Sequence, residues 1–245
     1  MNSFFRLLGN GIARYITKPL PRYEVFSNIT EELLEQYLQP GDLLLIEGNS
    51  RVSTAIKYLT QSTWSHVCLY IGEREGLNPL LEADLIGGIM TVPLSKYEGF
   101  NLRICRPVNL SEADLQQVLD YAIKRIGLHY DTKNIIDLMR YLFPMPPVPT
   151  RFRRKMIALG SGDPTKAICS TLVAQAFQSI KYPILPREID ICAIDQPALC
   201  EQVYLEKKHF SHFTPRDFDL SPYFQIVKPT LQASFNYKVI KWQED

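Results

Sequence analysis

The sequence predicts an α+β protein, with a small antiparallel β-sheet or barrel packed against helices. Two patterns carry this prediction. Short runs of strand-forming residues, separated by glycine and proline turns, follow one another between positions 42 and 106. Apolar residues at helical spacing dominate the segments on either side of this run. Segregation of strands from helices along the chain is typical of the α+β class.

The predicted strands are short and bounded by turns. In the second of them, which has the sequence SHVCLYIG, alternation places His66, Cys68 and Tyr70 on one face and the apolar residues between them on the other. Two further segments near the C-terminus are predicted to close the sheet. The predicted strands cover residues 42–46, 65–72, 80–83, 89–92, 103–106, 224–228 and 235–241.

Helix signals are clearest at positions 111–126. Ser111 is placed to cap this helix, apolar residues repeat along one face, and Gly127 can end it. A threonine followed by proline at 214–215 marks another helix start, since proline fits the first helical position. The remaining predicted helices cover residues 31–38, 50–60, 134–142 and 168–180.

Length and composition limit the organisation and the class of protein. The 245 residues are 46% hydrophobic, which suffices for one sizeable core. We therefore expect an N-terminal segment over 1–25 and a single domain over 26–245, with a proline-rich lid inserted near 143–165. The formal net charge of +1 argues against a nucleic-acid partner, because such proteins usually carry a basic excess.

The N-terminal segment 1–18 has apolar residues at helical spacing with basic residues mostly elsewhere. This pattern fits either a helix packed on the domain or a basic amphipathic helix in peripheral contact with a membrane. Polar residues interrupt the apolar run, which argues against a signal peptide, and no stretch reaches the ~18 apolar residues of a membrane span. We expect a cytoplasmic protein, with peripheral membrane contact as the alternative location.

The five cysteines show no close metal-ligand or redox spacing, so we expect no metal and no cofactor. Cys169 alone is predicted in the first turn of a helix. Free N–H groups and the positive dipole end at that position favour a thiolate and can hold an oxyanion. A structural cysteine is the alternative interpretation of the same pattern.

His66 differs from the other histidines because it begins an otherwise apolar strand, where it is either a satisfied core residue or a catalytic base. A third group should fix the tautomer of a catalytic imidazole. A hairpin between 66–71 and 80–84 would bring His66 opposite residues 82–84. Glu82 is the candidate third group, and Asp84 is the alternative because it shares a strand face with Glu82. Either acid could instead face solvent on an edge strand.

Three segments together resemble a known family. They are GDLLLIEGNSRVSTAIKYLTQSTWSHVCLYIG (41–72), LLEAD (80–84) and ICSTLVAQAF (168–177). The resemblance is to the circularly permuted papain-like hydrolases of the YiiX/YaeF group, in the NlpC-type superfamily, with lecithin retinol acyltransferase as a distant member. In the permuted group the histidine strand precedes the cysteine helix, which is the order found here.

The resemblance implies that Cys169 is the nucleophile, His66 its base and Glu82 the orienting residue. The acyltransferase branch has a second histidine where Glu82 stands, so this chain departs from that branch. The Cys169 backbone N–H is expected to hold the oxyanion, with Tyr70 or the Ser65 region as second donor. Trp64 is a further candidate for substrate contact.

The activity implied is a cysteine-dependent hydrolysis through a covalent acyl-enzyme. The substrate would be an amide, in a peptide or peptidoglycan-like molecule, or an acyl-lipid bond. One alternative is a lipid acyltransferase or thioesterase of the lecithin retinol acyltransferase type. A second alternative is a catalytically silent module that binds a membrane or a partner.

Overall fold

The structure is a computed structural model, and some of the predictions lie outside the residues it describes. These are the helix 134–142, the lid near 143–165, the strand 235–241 and residues 1–16 of the N-terminal segment. The division into an N-terminal segment and one domain likewise stays a prediction. The structure describes residues 17–19, 24–25, 29–84, 87–128, 168–189, 204–206 and 208–229.

Six strands form one sheet: β1 (Leu43–Glu47), β2 (His66–Tyr70), β3 (Leu80–Asp84), β4 (Gly88–Val92), β5 (Asn101–Pro107) and β8 (Phe224–Val227). Their order in the sheet is β4-β3-β2-β1-β5-β8, and each neighbouring pair is antiparallel. Among the described residues β4 and β8 are its two edges, so the sheet is open and is not a barrel. The α+β class and the antiparallel sheet are confirmed.

Two short strands, β6 (Arg187–Ile189) and β7 (Tyr204–Glu206), pair with each other in a separate antiparallel ribbon. Sequence patterning did not predict this ribbon. Each strand has only three residues, so neither is long enough to show an alternating pattern.

The helices begin where side chains can satisfy their first N–H groups. Ser50 and Ser111 each accept a hydrogen bond from the N–H three residues on, and Thr214 forms a capping box with Asp217. The third helix ends at Ile123, before the predicted 126, because tight turns lead from there to Gly127. The helices are α1 (Glu31–Tyr37), α2 (Arg51–Thr60), α3 (Glu112–Ile123), α4 (Ile168–Ser179) and α5 (Pro215–Asp219), with 3₁₀ turns at Leu94–Tyr97 and Phe210–His212.

The sheet separates two apolar clusters. Val67 and Leu69 of β2 face the cluster that contains α3 and α4. Cys68 and Tyr70 face the cluster that contains α1 and the 3₁₀ turn at Leu94–Tyr97. The predicted alternation in β2 is therefore confirmed, and both faces of the sheet are covered. No helix in the described part of the chain combines the length and apolar character needed to cross a membrane.

Candidate active site

Cys169 is the second residue of α4, so its backbone lies in the helical turn whose N–H groups lack partners within the helix. The next residue fixes this helix end, because the Ser170 hydroxyl donates to the Phe213 carbonyl at 2.7 Å. Helix α4 packs on β2 and β3. The cysteine is thereby held beside the strands that carry the predicted histidine and glutamate.

His66 and Glu82 are in direct contact. Antiparallel pairing of β2 with β3 matches Leu69 with Leu81, which brings the start of β2 to the end of β3. The Nε2 atom of His66 lies 3.2 Å from Oε2 of Glu82. The predicted hairpin is therefore confirmed, and so is the contact between the histidine and a carboxylate that it implied.

Asp84, the alternative partner, serves a different purpose. Its Oδ1 accepts a hydrogen bond from the Gly87 N–H at 2.7 Å, and this contact shapes the turn between β3 and β4. The carboxylate beside the imidazole is that of Glu82.

Glu82 is 1% exposed, so its charge requires partners inside the protein. Lys96 donates to Oε1, and the Tyr97 hydroxyl donates to Oε2. The Cys68 thiol also donates to Oε2, at 3.5 Å. With His66, four groups surround one buried carboxylate, and they hold it in a single orientation toward the imidazole.

These contacts decide the charge of Glu82. Burial by itself would raise its pKa, but hydrogen bonding and charge interaction with His66 and Lys96 outweigh burial. The net effect is a pKa well below the ordinary value of 4.5. Burial raises the pKa of Tyr97, as do the neighbouring Cys68 and Glu82, so that phenol stays a donor.

His66 interacts with two thiols as well as with Glu82. Partial burial opposes its positive charge, but Cys169 and then Cys68 favour that charge and raise the pKa of His66 well above 6.5. Burial raises the pKa of Cys68. Cys169 belongs to the apolar cluster on one face of the sheet and Cys68 to the cluster on the other. As the first residue of β2, His66 interacts with both.

Tyr70 does not join this group. It lies at the far end of β2, about 13 Å of strand from His66. Burial raises the pKa of its phenol, with Glu73, Glu35 and Asp42 adding to the effect. These neighbours belong to the end of the strand opposite His66, so the structure does not bring Tyr70 to the imidazole, and its role as an oxyanion donor stays a prediction.

Ser65 and Trp64 immediately precede the histidine, and both are held in place. The Ser65 N–H is taken by the Ile46 carbonyl, and its hydroxyl accepts from the Gly48 N–H at 2.9 Å. The indole N–H of Trp64 donates to Asp219 at 3.0 Å. The Ser65 N–H is thus engaged by the Ile46 carbonyl and the Trp64 indole is held by Asp219, and the roles predicted for these two residues stay predictions.

His66, Cys68 and Glu82 each present an atom that can bind a metal, and these atoms all lie within 4.8 Å of one another. The sequence spacing did not suggest such a group. Lys96 and Tyr97 also donate to the two oxygens of Glu82, so a metal ion here would share that carboxylate with them. The contacts present describe a hydrogen-bonded carboxylate and imidazole.

Lys96, Tyr97 and Cys68 are the site residues that the sequence did not reveal. Cys68 was visible on the same strand face as His66, but nothing singled it out from an ordinary core residue. Lys96 and Tyr97 come from a 3₁₀ turn, 14 and 15 residues beyond Glu82. The one available signal was that a glutamate within an apolar strand requires a cation or donors nearby.

Together the fold and the site define a class of protein. A histidine strand, a glutamate strand and a later cysteine helix follow one another in the order of the permuted papain-like enzymes. Residues 37–144 match the family described as permuted papain-like amidase enzyme, YaeF/YiiX, C92 family. The resemblance to this group is confirmed. The matched range contains His66 and Glu82, and Cys169 lies beyond it.

Individual relatives are distant. The probable lipoprotein peptidase YaeF of Escherichia coli (strain K12) is 24% identical over 183 residues, and the match covers 66% of this chain and 65% of that protein. The chain thus matches just under two thirds of the length of this relative. A crystal structure of metalloprotein YiiX from Escherichia coli O157:H7 matches with a TM-score of 0.46 and 16% identity, over 78% of this chain and 96% of that one.

Proposed function

We propose that this protein is a cysteine-dependent amidase in which Cys169 attacks the carbonyl carbon of a peptide-like substrate. The observation that supports it most strongly is the placement of Cys169 at the start of α4, which packs on the strands where Nε2 of His66 lies 3.2 Å from Oε2 of Glu82. A protonated imidazole beside the thiol favours the thiolate, which is the nucleophilic form.

The reaction proceeds in two steps. The Cys169 sulfur bonds to the acyl carbon, and the oxyanion meets backbone N–H groups at the start of α4. The carbon–nitrogen bond then breaks as the His66 imidazolium transfers its proton to the departing amine, leaving a thioester. In the second step His66 takes a proton from water, the water oxygen bonds to the acyl carbon, and the carbon–sulfur bond breaks.

Glu82 acts through His66. Its charge faces Nε2, so it favours the ring orientation in which the other nitrogen is available to the thiol. Because Lys96 and Tyr97 hold the carboxylate, the ring is oriented before substrate binds. Similarity to YaeF, named as a probable lipoprotein peptidase, supports a peptide-like amide as the substrate class.

The test compares two buried cysteines. Cys169→Ala should lower kcat/KM toward acyl amides and p-nitrophenyl acyl esters by at least about 10³-fold. Cys105→Ala is the matched control, because Cys105 is fully buried and burial raises its pKa to about 12. We expect this control to keep the activity of the unmodified protein.

Acid quenching during ester turnover, followed by intact mass measurement, should show one added acyl group in the unmodified protein and in Cys105→Ala. Cys169→Ala should show none. Equal turnover by Cys169→Ala, or an acyl group that remains after that substitution, would contradict the proposal. A protein that folds but never acquires an acyl group would be a silent binding module.

A further inference from the structure

A cleft of about 680 Å³ lies at the end of the sheet where β1 and β8 end and β2 and β5 begin. Trp64 lines this cleft and precedes His66 by two residues. Two residues of extended chain span about 7 Å, so the cleft and the imidazole are neighbours. A ligand bound here would lie near the start of β2, which carries the proposed base His66.

The carboxylates that line the cleft are both paired. Glu47 accepts from Lys57 at 2.8 Å. Asp219 accepts from Arg103, whose guanidinium also lies 4.9 Å from the Trp64 ring centroid. These two pairs are each neutral overall, so they add no net charge to the cleft.

Two further cations line the cleft. Within the described part of the chain, no ion pair joins Arg216 or Lys228 to a carboxylate. The Nη1 atom of Arg216 donates to the Thr60 carbonyl at 2.9 Å, which fixes the guanidinium at the cleft wall. Lys228 follows β8 and is exposed. The described residues of the cleft therefore carry a net positive charge that an anion can neutralise.

The cleft also has an apolar part. Leu220 is 54% exposed and Ile226 is 38% exposed, and both side chains line it. Large apolar side chains exposed in a concave site next to fixed charges are typical of ligand pockets. The combination of net positive charge and apolar surface selects ligands that combine a negative charge with an apolar chain.

We propose that this cleft binds a carboxylate or phosphate group joined to an apolar chain, and thereby selects amide substrates that carry such a group. The proposal deepens the proposed amidase function and rests on it for the link to catalysis. Binding itself does not depend on the thiol, so it is measured in the Cys169→Ala protein.

The experiment is calorimetric titration with three probes: N-octanoylglycine, its uncharged methylamide, and octyl phosphate. The methylamide, which lacks the carboxylate charge, should bind about tenfold more weakly than N-octanoylglycine. This is the effect of losing one charge-assisted hydrogen bond of about 1.4 kcal/mol. Arg216→Gln and Lys228→Gln should each weaken binding of N-octanoylglycine about three- to tenfold. High salt should weaken binding of the two anionic probes and leave the methylamide unaffected.

Matched controls exist on α3 and the turn that follows it. Arg125 donates from Nη1 to the Tyr121 carbonyl at 2.8 Å, as Arg216 does to Thr60, but it lies away from the cleft. Lys124 serves as the control for Lys228. Arg125→Gln and Lys124→Gln should leave the affinity for N-octanoylglycine unchanged.

The outcomes separate the two proposals. Methylamide binding as tight as that of N-octanoylglycine, unchanged affinity in Arg216→Gln and Lys228→Gln, or no binding of any probe would overturn the cleft assignment alone. Tighter binding of octyl phosphate or of N-octanoylglycine identifies phosphate or carboxylate as the preferred anion and supports the assignment. Charge-dependent binding in a protein whose turnover survives Cys169→Ala would support the cleft and refute the amidase mechanism.

Discussion

The Tyr97 hydroxyl can be removed with little other change to the site, and its removal tests whether Glu82 is held as a buried anion. We predict that Tyr97→Phe lowers the free energy of unfolding by about 2 kcal/mol at neutral pH. The tyrosine is 6% exposed and its hydroxyl donates to Oε2 of Glu82. The aromatic ring remains to pack edge-on against Phe100 and beside His66.

The magnitude follows from the other donors to the same carboxylate. His66 and Cys68 still face Oε2 after the substitution, and Lys96 still donates to Oε1. Neither oxygen is left without a partner, so the cost is that of one hydrogen bond to a charged acceptor, about 1.5–3 kcal/mol. Complete loss of partners for a buried charge would cost about 3–5 kcal/mol.

The pH dependence gives the sharper test. The folded-state pKa of Glu82 is lowered from 4.5, so its stabilising effect is present above pH 4.5 and is lost as pH falls through the folded-state pKa. The part of this stabilisation that comes from the Tyr97 hydrogen bond is lost over the same pH range. The difference in unfolding free energy between the two proteins should therefore be constant near neutral pH and should shrink in acid.

Urea unfolding at a series of pH values measures this difference. Tyr182→Phe is the control, because its hydroxyl contacts only backbone groups in the described structure, accepting from Val108 N–H at 2.9 Å and donating to the Tyr223 carbonyl at 2.6 Å. These backbone partners do not titrate, so the loss of unfolding free energy in Tyr182→Phe should be independent of pH. A loss for Tyr97→Phe that is equally independent of pH, or no loss at all, would refute the reasoning.

Three further substitutions test other parts of the structure. Glu82→Gln should lower kcat on the order of 10²-fold with little change in KM, because the neutral amide no longer orients and stabilises the His66 imidazolium; unchanged steady-state kinetics would contradict this role. Gly48→Ala should destabilise the fold by about 1–3 kcal/mol in urea unfolding, because an added Cβ would lie 2.2 Å from a serine hydroxyl oxygen. Arg106→Gln leaves Asp42, which is 1% exposed, without its cation, and should cost about 3–5 kcal/mol at neutral pH. This last cost should decrease toward acid pH, because Asp42 can then become protonated, and a loss independent of pH would argue that the carboxyl is already neutral.

Much of the fold could be predicted because its signals are local. Alternation in β2 assigns Val67 and Cys68 to opposite faces, and the structure places them in separate clusters. Capping at Ser111 and Thr214 marks two helix starts to the residue. Each of these signals depends on neighbours within one turn or one strand, so tertiary structure changes them little.

The open sheet and the ribbon of β6 and β7 could not be predicted in the same way. Closure of a sheet depends on whether its first and last strands meet, and in the described part of the chain β4 and β8 are opposite edges. That outcome depends on strand twist and on the helices packed against each face, which no local pattern reports.

The sequence by itself determined which residues could form the site: a histidine at a strand start, a carboxylate in the next strand and a cysteine at a helix start. Only the tertiary structure placed Glu82 rather than Asp84 beside His66, set Tyr70 at the far end of β2 and added Lys96 to the contacts of Glu82. The physical reason is that a buried carboxylate must find donors in three dimensions, and these come from wherever packing brings them. For Glu82 two of them, Lys96 and Tyr97, come from a 3₁₀ turn that no periodic pattern connects to β3.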